Sequence, residues 1–131
     1  MAAEESHYPA DWLRLAERDW GRVRRLLDEH DPELAGFRLQ QAVEKVLKAF
    51  LLSCGWQLRR IHNLDALLDD AVTYDPSLEP FRGVCQKITA FYVVERYPLV
   101  IDTSMTEEDV YSAMEQVRGL IDKLQAQITR A

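Results

Sequence analysis

FRLQQAVEKVLKAFLL, running from Phe37 to Leu52, contains no Gly and no Pro, and Val43 and Val46 are its only β-branched residues. On propensity alone it is a strong helix. Its apolar face is very wide: Leu39, Ala42, Val43, Val46, Leu47, Ala49, Phe50 and Leu51 cover more of the wheel than a surface helix needs. The spacing predicts a central helix that touches neighbours on several sides. Gln41, Glu44, Lys45 and Lys48 recur at i, i+3, i+4 and i+7 and share one polar ridge. The ridge has two readings. It is the wet side of a core helix, with Glu44 and Lys48 paired at i, i+4, or it is a polar strip that faces a partner or a ligand cleft.

The chain outside this stretch reads as more helix. A first helix is expected from Pro9 to about Glu29, with Trp12, Leu13, Ala16, Trp20, Val23, Leu26 and Leu27 at helical spacing. Its opposite face carries Arg14, Glu17, Arg18, Arg24, Arg25 and Asp28 and reads as solvated. Asp31-Pro32 breaks the chain, and the central helix follows from about Glu33 to Cys54, with Gly36 a small weakness near its start. Gly55 suits the C′ position. Asn63 or His62 can cap a short third helix from Leu64 to about Val72. A fourth is expected from about Leu78 to Arg96, closed by Pro98. Thr106 and Asp109 form a capping box for the last helix, whose stripe runs from Val110 to Ile128. With no internal repeat and no convincing strand, the expected fold is all-α. It is one domain over residues 1–131, an antiparallel up-and-down four-helix bundle with one additional short helix.

Composition narrows the function. A chain of 131 residues that is 47% hydrophobic can bury a core without staples. Cys54 and Cys85 read as buried free thiols in a reducing cytoplasm, since neither lies in a CxxC pair. The acidic N-terminus does not resemble a signal peptide, and no apolar run approaches a membrane span. A net charge of -6 argues against broad electrostatic binding of nucleic acid and leaves room for a local basic site. There is no Gly-rich phosphate loop, no GxSxG and no HExxH. His7, His30 and His62 are isolated, so no metal site and no cofactor is expected.

Three places remain as candidates. One is the ridge of Gln41, Glu44, Lys45 and Lys48; another is the junction His62-Asn63, which capping alone would also explain; the third is the helix end Glu95-Arg96-Tyr97-Pro98. Glu95 is in register with Ile88, Phe91 and Tyr92, so it either emerges at a helix end or meets a partner inside, with Arg96, His62 or Lys45 available.

Taken together, these segments resemble the HEPN family of small helical proteins. The resemblance rests on QQAxEKxLKA at residues 40–49, HNLxxL at 62–67 and ERYP at 95–98, preceded by Trp12, Ala16 and Asp19-Trp20. It covers nearly the whole chain. It implies a helical module that commonly forms homodimers and associates with nucleotides or RNA. It also implies a separate minimal nucleotidyltransferase as partner, often in a toxin–antitoxin pair. The RNA-cleaving members carry an Arg followed after about four to six residues by a His in the late helical region. Here Arg96 precedes Tyr97 and Pro98, and no His follows His62. Arg24 or Arg25 with His30 matches that spacing only in the first helix, the wrong element. The expected function is therefore a non-catalytic module that binds a nucleotide or another phosphate-bearing ligand through Gln41, Glu44, Lys45, Lys48, His62, Asn63, Glu95, Arg96 and Tyr97. An RNase toxin with an atypical site and a purely structural bundle are the alternatives.

Overall fold

The computed structural model describes residues 5–96 and 105–130, leaving aside the side chains of residues 93–96 and 129–130. Among the described residues five α-helices form: α1 (Pro9–Asp28), α2 (Pro32–Ser53), α3 (Leu64–Tyr74), α4 (Arg82–Arg96) and α5 (Glu107–Arg130). A 3-10 turn over Pro76–Phe81 precedes α4. Among the described residues there is no strand. No helix is long and apolar enough to cross a membrane among the same residues.

The wide apolar face of α2 has the expected consequence. α1, α3, α4 and α5 all pack on it, and the core gathers round Leu39, Val43, Val46, Leu47, Phe50 and Leu51. Several helix ends are fixed by local chemistry. α2 ends with Gly55 at φ +88°. The Trp56 N–H donates to the Leu51 carbonyl and that of Gly55 to Leu52, which closes a Schellman turn. α1 ends in the same way, except that His30 (φ 59°) stands where Gly is usual. Asp31 then caps α2 and Asn63 caps α3. The Thr106–Asp109 box closes at both of its bonds. Hydrogen bonds from the backbone and side chain of Thr106 hold the Asp109 carboxyl below the usual carboxylate range.

Three details differ from the sequence reading. The fourth helix becomes α-helical at Arg82 and not near Leu78, because Pro80 offers no N–H to an α-helical bond. Cys85 is buried but Cys54 is only half-buried. Burial pushes the Cys85 thiol up to about 12, so it is inert at neutral pH. The partly apolar loop at residues 99–105 is expected from its composition to pack along the bundle, and all of it but Met105 lies outside the described residues.

Gly36 is the third difference, since it is a point of contact and not a weakness. A Cβ there would stand 3.0 Å from Phe91 Cβ and 3.1 Å from Met105 Sδ. The absence of a side chain lets α2 and α4 approach. Alanine at an open helical site gains about 0.5–1 kcal/mol, whereas overpacking costs about 1–3 kcal/mol. Gly36→Ala is therefore expected to lower stability by about 1–2 kcal/mol. Gly21→Ala, where nothing lies within 4 Å, should raise it by about 0.5–1 kcal/mol. Urea melts of both variants check the pair; a stabilised Gly36→Ala would disprove the close approach.

Candidate functional site

The polar ridge of α2 is not wet. Glu44 is 3% exposed and Lys48 0%, while Gln41 and Lys45 are half-buried. The reading of the ridge as a solvated side fails because α1 and the loop before α3 cover it. Two linked clusters result.

The inner cluster is built on Glu44. Lys48 Nζ donates to Glu44 Oε2 at 3.3 Å one turn along the helix. The same ammonium lies 5.1 Å from the centre of the Trp12 ring, a cation–π contact. Trp12 is fixed in turn by its indole N–H, which donates to the Ser6 carbonyl at 2.7 Å. Gln40, itself 1% exposed, donates through Nε2 to the His62 carbonyl at 2.8 Å and to Glu44 Oε1 at 3.3 Å. Gln41 Nε2 donates to Gln40 Oε1 at 2.6 Å. His62 Nδ1 stands 3.3 Å from both carboxylate oxygens of Glu44, with most of its side chain in solvent. Asn63 spends its side-chain oxygen on the Asp65 N–H, as a cap.

The outer cluster is built on Asp19 of α1, only 1% exposed. Its Oδ2 accepts from Lys45 Nζ. Its Oδ1 takes Arg22 at 3.3 Å and Arg38 at 3.8 Å. Arg38 also lies over the Phe37 ring, which stacks on Tyr92 with ring centres 5.3 Å apart. Among the described residues no buried side-chain N or O lacks a partner. The buried charges are thus paired and hydrogen-bonded, the condition under which they survive in a core.

The structure therefore brings together Gln41, Glu44, Lys45, Lys48 and His62 from the sequence-derived set. Of these five, Gln41, Lys45 and His62 keep a face that a ligand can reach. Glu95 and Arg96 close α4, with side chains outside the described residues, and Tyr97 lies outside them altogether. Of the partners offered to Glu95, His62 pairs with Glu44 and Lys45 with Asp19, and the Arg96 side chain is outside the described residues. His30, which shares a nuclease-like spacing with Arg24 and Arg25, sits in the α1–α2 turn and pairs with Glu107 at 2.8 Å. The sequence reading left Asp19, Arg22, Arg38 and Gln40 out of the candidate site, although Asp19 and Gln40 stand among the residues that carry the resemblance. Asp19 did carry a signal, for it keeps register with Trp12, Ala16, Val23 and Leu27.

No group of three or more metal-ligating side chains occurs among the described residues. A groove of about 360 Å³ between α1, α2 and α5 has Ala16, Trp20, Ala42, Val46 and Ile121 on its walls and none of the sequence-derived candidates.

The family model of the HEPN domain matches residues 9–127. The fold is similar to that of TT1696 from Thermus thermophilus, with a TM-score of 0.81 and 23% sequence identity over 92% of this chain and 98% of that one. At that identity the likeness speaks for the fold alone. No curated protein matches the chain.

Proposed function

The chain belongs to the HEPN family, and on that premise we propose that it is a non-catalytic HEPN module that binds a nucleotide or another phosphate-bearing ligand. It would act as a cytoplasmic homodimer beside a separate minimal nucleotidyltransferase, in a toxin–antitoxin-like pair. The four long helices would then form the antiparallel up-and-down bundle, with α3 as the additional short helix. The observation that carries the reading is the Asp19 cluster. A buried carboxylate holds Lys45, Arg22 and Arg38 in fixed positions at the edge of the ridge, in a chain whose net charge is -6. Preorganised cations recognise phosphate well because their ordering cost is already met. The non-catalytic part rests on the sequence. Proton transfer near neutral pH needs a group such as His, and none follows His62.

The test is a thermal shift of the purified protein against nucleotides and short RNAs, with and without magnesium. A ligand at 100 times its dissociation constant should stabilise by about 2.7 kcal/mol, or about 10 °C for a domain of this size. Lys45→Ala should remove the shift. Lys48 is not a useful probe of binding, since a side chain with no exposed surface cannot touch the ligand. A flat panel would overturn the reading, and cleavage of the RNA would move the protein to the RNase alternative.

A further inference from the structure

The face of α1 that turns toward the start of α2 carries a crevice of about 230 Å³. Arg22, Arg25 and Arg38 line it together with Leu26, Leu34 and Glu29. Arg22 and Arg38 are not free to swing away, because both reach back to the buried Asp19. Each meets Asp19 through one nitrogen, and a guanidinium has five N–H donors. Arg25 is exposed at its rim. Three cations (Arg22, Arg25 and Arg38) and one carboxylate (Glu29) line the crevice, and outside it Lys45 offsets Asp19. The local excess is two positive charges, opposite in sign to the chain as a whole. A low-dielectric wall of leucine focuses that field.

We infer that this three-arginine crevice is a binding site for a phosphate monoester dianion, the terminal phosphate of a nucleotide or of a phosphorylated strand end. Two forked guanidiniums held by one carboxylate present the planar, paired donors that match phosphate oxygens. The charge excess matches a dianion, whereas an internal phosphodiester carries a single charge. The inference rests on the phosphate-binding reading above and goes further, since it places the anchor in the crevice of Arg22, Arg25 and Arg38 and fixes the kind of phosphate.

Arg24 and Arg25 make a controlled test. They are adjacent and both exposed. Arg25 lines this crevice, and Arg24 lines a different one beside Trp20 and Tyr111. Arg25→Glu and Arg24→Glu change the net charge equally. Calorimetric titration would use three probes, inorganic phosphate, a nucleoside 5′-monophosphate and a dinucleotide with no terminal phosphate. Wild type should bind the monophosphate at least tenfold more tightly than the dinucleotide. Arg25→Glu should weaken phosphate and monophosphate by tenfold or more, and Arg24→Glu should change them less than threefold. Equal losses in the two variants, or no loss in Arg25→Glu, would overturn the crevice. In that case continued nucleotide binding by both variants would leave the broader ligand-binding reading standing. No binding of any probe to wild type would remove both.

Discussion

Lys48→Ala is expected to lose about 3–5 kcal/mol of folding stability, a third or more of what a domain this size has, and to melt about 10–18 °C below wild type. The substitution removes an ammonium that has no exposed surface, sits 3.3 Å from Glu44 and lies against the Trp12 ring. It leaves a cavity under α1 and strips a buried carboxylate of its cation. Gln40 and His62 still touch Glu44, so the carboxylate is not wholly orphaned, and the cost stays within that range. The companion variants separate charge from packing. Lys48→Met keeps the aliphatic stem against Trp12 and should cost less than Lys48→Ala. The double variant Glu44→Gln with Lys48→Met removes both charges and should recover most of the loss, because a buried ion pair is often no better than a neutral pair of similar shape. Urea denaturation of the three proteins decides it. A loss below about 1 kcal/mol for Lys48→Ala would mean that the pair behaves as a surface salt bridge and that α1 does not seal it.

The ridge shows how far the sequence could be followed. Helical spacing put Gln41, Glu44, Lys45 and Lys48 on one face, and the structure keeps them there. Spacing says nothing about what covers a face, and the choice between a wet side and a strip turned to a partner had no residue to decide it. The deciding feature was on another helix. Asp19 falls in the apolar register of α1 and is buried, which is the same irregularity that singled out Glu95 on α4. A carboxylate in register with a core stripe must meet a cation or emerge into water. On α1 that condition points to the basic residues of the facing helix, Arg38 and Lys45. The α1–α2 pairing was thus half-written in the chain, but only a tertiary contact could join the halves. The helix ends were more legible, since Gly55, Asn63 and Thr106 act through neighbours a few residues away. Pro80 was local too, and an α-helix from Leu78 would need at that position an N–H that proline lacks. Gly36 was opaque because its role depends on Phe91, far along the chain.

The second large effect is expected at Asp19. Asp19→Ala should cost about 2–4 kcal/mol, below the full figure for breaking a buried pair because its partners Arg22 and Arg38 are about one-third exposed and water screens them. The greater part of the loss comes from Lys45, whose ammonium is the most enclosed of the three cations. Once the carboxylate is gone, Arg22, Arg38 and Lys45 repel one another across the α1–α2 contact. That repulsion, unlike a packing defect, weakens with ionic strength, because the Debye length falls from about 10 Å at 0.1 M to about 3 Å at 1 M salt. The variant should therefore regain part of its stability as sodium chloride is raised, more than wild type gains over the same range. Asp19→Asn, which keeps the shape and one acceptor but not the charge, should fall between the two proteins and show the same salt trend. A loss in Asp19→Ala that is indifferent to salt would mean that Asp19 fills space in the α1 stripe and does not hold the cations. The crevice beside it would then have no fixed arginines with which to meet a phosphate.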